Sequence, residues 1–157
     1  MINRPRRQDR IMDAVGIERV LKEAPVGFLA LVSEDGGPYG IPVNYVAADG
    51  KIYIHCAMEG RKLDCIRRDP RVSFSVMINH GVSPEKMTNY YESVVCFGRA
   101  REIRDDYDAK KAALDLLVEK YSPGGKCSFE RGSSLAARTN LIEITLEHIT
   151  GKANLPK

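Results

Sequence analysis

Ile52-Tyr-Ile-His-Cys-Ala-Met-Glu-Gly-Arg-Lys-Leu-Asp64 is the stretch whose reading decides the fold. Ile52 to Cys56 forms a strand-like run that stops at a short turn. Gly60 then leads into Arg61, Lys62 and a helical pattern continued by Leu63 and Ile66. A helix start carries unpaired backbone N–H groups and about half a positive charge. Glycine lets an anion approach the backbone, and two cations stand beside it, so the arrangement suits a phosphate. A surface turn with two solvated cations satisfies the same spacing, and spacing alone does not separate the two.

Upstream, Tyr39 to Val46 reads as a strand. Asp49-Gly50 is the dipeptide preferred in a tight hairpin, so Ile52–Cys56 is expected to pair antiparallel with that strand. Glu34-Asp-Gly-Gly-Pro38 is a turn signal, preceded by a strand from Phe28 to Val32. Ala14, Ile17, Leu21 and Ala24 recur at helical spacing from Asp13 to Ala24, and Pro25 stops that helix.

Downstream, Asp69-Pro70 ends the short helix, because the residue before proline is pushed out of the helical region. Val72, Phe74, Val76 and Ile78 alternate through a half-buried strand, Arg71 to Ile78. Asn79 to Asn89 is polar, with Gly81 and Pro84, and reads as a loop. Tyr91 to Ile103 is a long strand. Asp105 or Asp106 can cap a helix running to about Tyr121, which Ser122-Pro-Gly-Gly125 breaks. Leu141 to Ile149 is the last strand. The strands do not alternate regularly with helices, which disfavours a doubly wound parallel sheet. The expectation is a mainly β fold: six antiparallel strands closed into a small barrel, with flanking helices, since closure removes exposed edges.

A chain of 157 residues fits one domain. Its net charge of +3 is too small an excess to indicate nucleic acid. No apolar run is long enough for a membrane span, and the N-terminus lacks the apolar core of a secretory signal. A cytoplasmic protein is expected, with residues 1–12 as a flexible tail and 13–157 as one domain. Cys56, Cys65, Cys96 and Cys127 form no C-x-x-C pair, so a zinc knuckle or redox dithiol lacks support. Cys65 and Cys96 fall in apolar patterns and are expected in the core.

Histidine exchanges protons near neutral pH, and His55 stands beside the glycine turn. It suits the mouth of a pocket, or equally a backbone-bonded position inside. Adjacent strand residues point to opposite faces, so His55 and Cys56 cannot easily grip one metal ion. Pro42 removes a ladder donor, which suggests an edge strand. Asn44 is polar in an apolar run and can bond a flat heterocycle or a neighbouring loop. Ser93 to Phe97 can wall an aromatic ligand or pack in the core. No Ser-His-Asp arrangement, P-loop or G-x-G-x-x-G is present.

Together, Gly-Phe-Leu-Ala-Leu31, Ile-Pro-Val-Asn-Tyr45, the Ile52–Lys62 segment, Asp-Pro-Arg-Val72, Tyr-Glu-Ser-Val94 and Phe-Gly-Arg-Ala100 resemble the flavin split-barrel superfamily. That superfamily includes pyridoxamine 5′-phosphate oxidases. The nearer resemblance is to its nitroimidazole-resistance (Nim-like) branch, whose H-x-A-x-x-G-x-K pattern is met by His55, Ala57, Gly60 and Lys62. The resemblance spans roughly Asp13 to Lys152. It implies a homodimer with FMN at the subunit interface. Pro42, Val43, Asn44 and Tyr45 would run beside the flavin ring. His55 and Cys56 would contact the cofactor, and Gly60, Arg61 and Lys62 would hold its phosphate. Tyr91, Ser93 and Val94 would come from the second subunit. Gly60 stands where pyridoxamine oxidases carry serine, and the Arg- and Trp-bearing C-terminal segment of those enzymes has no counterpart, so pyridoxamine oxidation is not expected. The function implied is an FMN-dependent, nitroreductase-like oxidoreductase. It would pass electrons from reduced flavin to a small planar acceptor such as a nitroaromatic, with His55 as catalytic proton donor or substrate contact. The alternatives are a non-catalytic flavin or haem binding or sensing protein on the same barrel, with His55 or His148 as axial ligand, and a deazaflavin-dependent (F420) reductase.

Overall fold

The computed structural model describes residues 5–156. A 3-10 turn (Gln8–Arg10) precedes α1 (Ala14–Glu23), β1 (Gly27–Val32), β2 (Pro38–Val43), β3 (Val46–Ala48), β4 (Lys51–Ala57), α2 (Arg61–Arg68) and β5 (Arg71–Ser83). After them come β6 (Thr88–Glu102), α3 (Tyr107–Tyr121), α4 (Ser134–Arg138) and β7 (Thr139–Asn154). Asp13 caps α1 by accepting from the Gly16 N–H at 2.8 Å, and Asp106 caps α3 from Ala109 at 2.9 Å. Asp49 and Gly50, with φ of 51° and 72°, make the left-handed turn that joins β3 to β4.

All strands belong to one antiparallel sheet of seven, in the order β2-β1-β5-β6-β7-β4-β3. The mainly β antiparallel architecture agrees with the sequence, with one strand more than the six expected. The segment Tyr39–Val46 supplies two strands instead of one. β2 pairs with β1, Phe28 facing Pro42, while β3 pairs with β4, Val46 facing Tyr53. The hairpin partner of β4 is therefore β3 alone. The division falls at Asn44-Tyr45, where Tyr45 turns fully into the core.

That division fixes the shape of the sheet. β2 and β3 lie at opposite ends of the pairing order, yet only Asn44 and Tyr45 separate them in the chain. Seven flat strands would put their edges about 29 Å apart. Three Cα steps, from Val43 to Val46, reach at most about 11 Å. The sheet must curl until its edges nearly meet. No ladder joins β2 to β3 among the described residues, so the closure is open along one slit.

Leu29, Ile52, Ile54, Phe74, Val94, Cys96, Ile142 and Ile144 fill the interior from five strands, each no more than 2% exposed. Val20 and Leu21 from α1, and Leu63, Cys65 and Ile66 from α2, pack against the same cluster. Cys65 and Cys96 are thus core residues, as their apolar patterns implied.

Two connections differ from their sequence readings. Asn79–Asn89 is not a loop: β5 and β6 continue as a hairpin arm as far as Ser83 and Thr88, with a register shift between Asn79 and Gly81. Most of its residues are exposed on both faces, so no apolar alternation marked it. The segment after α3 is anchored by Phe129, 1% exposed, stacked 5.3 Å from the Tyr107 ring. At the other end, Ile11 bridges Lys152 and the Met12 N–H donates to Gly151 O at 3.1 Å, so the chain is docked before residue 13. Residues 1–4 of the expected tail lie outside the described residues. Among the described residues no helix is long and apolar enough to cross a membrane.

α3 leaves one group at a loss. The Lys120 Nζ lies 3.6 Å over the Tyr45 ring and is buried without a hydrogen-bond partner. Burial pulls its pKa down to about 8. The Tyr45 face offsets part of that penalty. Between about 8 and the ordinary 10.5, the unfolded chain binds a proton that the folded chain lacks, so this group makes stability rise with pH across that window. Lys120→Met is expected to flatten that rise. At neutral pH it should gain about 1 kcal/mol, discounted for the exposed part of the side chain, as measured by denaturant titration.

Candidate functional site

Gly60 opens α2 with φ 139° and ψ 161°, a conformation that only glycine adopts without strain. A Cβ there would meet nothing within 4 Å, so the space above it is open. The Gly60 carbonyl accepts from the N–H groups of Leu63 at 2.8 Å and Asp64 at 3.3 Å, and among the described residues no side chain caps the helix. Asp13, Asp106 and Ser133 cap the other three helices. At α2 the Arg61 and Lys62 N–H groups therefore lack a side-chain acceptor, at the end of the helix dipole that favours an anion.

The two cations beside this helix start have different neighbours. The Arg61 guanidinium lies 4.5 Å over the Tyr39 ring of β2. Lys62 is half-buried, and its charge opposes the burial that pushes the Cys56 thiol up. Behind the turn, Arg67 forks onto Glu102 at 2.6 and 3.0 Å, and Asn140 donates to Glu102 at 2.7 Å. Burial alone would raise Glu102, but these donors hold it below the usual carboxylate range. The Arg104 guanidinium donates to Met58 O at 2.9 Å and so ties down the turn itself. An open cleft of about 880 Å³ lies between Gly60 and these charged groups.

β4 turns Ile52, Ile54 and Cys56 inward and leaves His55 exposed on the outer face. Val46 faces Tyr53, so Asn44, two residues earlier, enters β3 at the end of β4 that carries His55. Pro42 and Asn44 are exposed and Val43 half-buried. The Arg61–Tyr39 contact ties the start of α2 to β2. Pro42, Asn44 and His55 thus stand on the outer surface near the end of β2, the start of α2 with Gly60, Arg61 and Lys62 stands by Tyr39 near the beginning of β2, and Val43 turns toward the core.

Other candidates do not present side chains there. Tyr45 is 0% exposed, and its hydroxyl donates to Leu21 O at 2.7 Å. Cys56 points into the core, as does Val94 at 0% exposure. Tyr91 and Ser93 are half-buried on the outer face of β6. β6 stands three places from β2 in the sheet, about 14 Å away, so they are not part of the slit in the same chain.

One residue at this surface escaped the sequence reading. Phe28 is 55% exposed on the outer face of β1. It faces Pro42 on one side and Ser75 on the other, and Ser75 faces Val95. Met77, in the next row, is 52% exposed. A signal existed: Gly27-Phe-Leu-Ala-Leu-Val32 is apolar on both faces, which a strand with one wet face does not need. Among the described residues no cluster of three His, Cys, Asp or Glu side chains could hold a metal ion.

The family model described as pyridoxamine 5′-phosphate oxidase matches residues 13–153. The fold is similar to that of a Bacteroides thetaiotaomicron protein described as a candidate 5-nitroimidazole antibiotic resistance protein. That protein is 23% identical, with a TM-score of 0.79 over 90% of this chain and 85% of the other. A FAD-binding protein from Mesorhizobium loti is 26% identical, with a TM-score of 0.69 over 92% and 97% of the two chains. An uncharacterized protein of Rhizobium meliloti (strain 1021) is 25% identical over 150 residues, 92% of this chain and 94% of its own.

Proposed function

Because the chain belongs to the pyridoxamine 5′-phosphate oxidase family, we propose that it is a flavin-binding oxidoreductase of the nitroimidazole-resistance type, with FMN as its cofactor. The observation that carries this proposal is the uncapped, glycine-led start of α2 beside Tyr39 of β2. A phosphate fits there because Gly60 leaves room for it and two N–H groups stand ready. Bound flavin would supply the redox chemistry, taking electrons from a reduced donor to a small planar acceptor such as a nitroaromatic.

The chain's own residues do the rest. Lys62 and Arg61 neutralise the phosphate. Phe28 and Pro42 offer an apolar wall to a flat ring, and the Asn44 amide can donate and accept at its edge. His55, exposed beside them, delivers a proton to the acceptor from its imidazole. A second copy covers the outer face around Phe28 and Met77, which excludes water from the ring and brings its Tyr91 and Ser93 to the cofactor.

Purified protein is expected to carry flavin absorbance or to bind added FMN, and to sediment as a dimer. FMN and FAD share the ring, ribityl chain and first phosphate, so a competition titration between them tests the choice of FMN. Absence of both copurified flavin and FMN binding would overturn the flavin assignment. A strict monomer would overturn the shared site. Turnover of a nitroaromatic with a nicotinamide donor separates an enzyme from a flavin store.

A further inference from the structure

Tyr121 ends α3, 76 residues beyond the Asn44-Tyr45 crossing in the chain, yet it touches that crossing directly. Its hydroxyl oxygen accepts from the Tyr45 N–H at 2.9 Å. The hydroxyl proton is shared between two acceptors, Tyr45 O at 3.0 Å and Pro25 O at 2.9 Å. One side chain therefore ties together both backbone groups of Tyr45 and the linker that enters β1. Gly27 faces Val43 and Phe28 faces Pro42, so Pro25 and Tyr45 flank the same end of the β1–β2 pair. That pair carries Phe28 and Pro42, and Asn44 follows it directly in the chain.

The rest of Tyr45 is held as firmly. Its hydroxyl donates to Leu21 O at 2.7 Å, and its ring packs edge-on to Phe74 at 4.8 Å. Asn44 itself is exposed, and no hydrogen bond to its side chain is seen among the described residues. Its place is set by its neighbour, and its neighbour's backbone is set by Tyr121. Near-attack and binding geometries tolerate displacements of well under 1 Å, so a clamp on the adjacent peptide governs what Asn44 can reach.

We propose that Tyr121 is a positioning residue for the ligand-facing crossing, holding Asn44 and the Phe28–Pro42 wall at the geometry that a flavin ring requires. This rests on the flavin assignment above. Tyr121 does not touch the ligand; it acts through the Tyr45 peptide. By reciprocity, a ligand that needs this geometry must strengthen the clamp when it binds.

Tyr121→Phe removes the hydroxyl and keeps the ring. Tyr107→Phe is the matched control, since it removes a single hydroxyl bond from the same helix, to Phe129 O at 3.0 Å, away from the slit. Tyr121→Phe is expected to weaken FMN binding about tenfold in a fluorescence titration, while Tyr107→Phe leaves it within about twofold. In the wild type, saturating FMN is expected to slow amide exchange at the Tyr45 N–H about tenfold, a readout that survives even if the variant misfolds. Equal FMN affinity in Tyr121→Phe and wild type, or Tyr45 exchange unmoved by bound FMN, would overturn the clamp while leaving flavin binding intact. A wild type that binds no flavin would remove both.

Discussion

The double variant Arg61→Gln, Lys62→Gln is expected to bind FMN about a hundredfold or more weakly, because two charge-assisted contacts to a dianion are lost while the backbone N–H groups remain. Its thermal stability should stay close to wild type, since among the described residues neither side chain forms an ion pair or buries its charge in the core. The single variants are expected to differ. The Arg61 guanidinium rests 4.5 Å over the Tyr39 ring, which already offsets part of its charge in the free protein. Lys62 has no such stack. Lys62→Gln should therefore lose more affinity than Arg61→Gln, and raising salt should narrow the gap between wild type and both. Isothermal titration at two ionic strengths measures this. Affinity unchanged in the double variant would remove the phosphate from this helix start.

Gly98→Ala is expected to damage the fold severely, although it adds only one methyl group. Gly98 lies in β6 at a register shift, facing Leu146 of β7. An added Cβ would sit 2.1 Å from the Thr145 carbonyl oxygen and 3.0 Å from its carbon. The obstacle is backbone, so no rotamer change relieves it, and β6 must part from β7 near the middle of the sheet. Overpacking of this kind costs at least about 3 kcal/mol. For a domain of this size that lowers Tm by about 6–12 °C. Gly36→Ala is the contrast: φ is 80° but nothing lies within 4 Å, so only the backbone penalty of about 1 kcal/mol applies. Calorimetry on the two variants separates crowding from strain. A Gly98→Ala protein as stable as wild type would mean that β6 and β7 have room to part at Gly98 without cost.

Much of the candidate site's local geometry was legible because it lies within one turn. Gly60, Arg61 and Lys62 lie in one turn, and the cost of φ 139° falls on whichever residue holds that position. His55 was left between a pocket mouth and the interior, and the alternation of β4 turns it outward. Alternation also held the answer for Val94 and Cys56, whose side chains point inward because Glu92, Val94 and Cys96, and Ile52, Ile54 and Cys56, share a face. Residue identity at a family position does not override the two-residue period of a strand. Phe28 was hidden for a different reason: an apolar side chain looks the same in sequence whether it faces a core or an uncovered outer surface.

By itself, the sequence determined what neighbours within a few residues can settle: the cap of α3, the Asp49-Gly50 turn, the inward face of β5 and the glycine-led start of α2. Only the tertiary structure decided that Tyr39–Val46 breaks into two strands on opposite edges, that Arg61 rests on Tyr39, and that Tyr121 grips the crossing between those edges. Each of these depends on which distant segments come into contact. Hydrogen-bond partners 76 residues apart leave no periodic trace in a chain, whereas a capped turn or an alternating strand does.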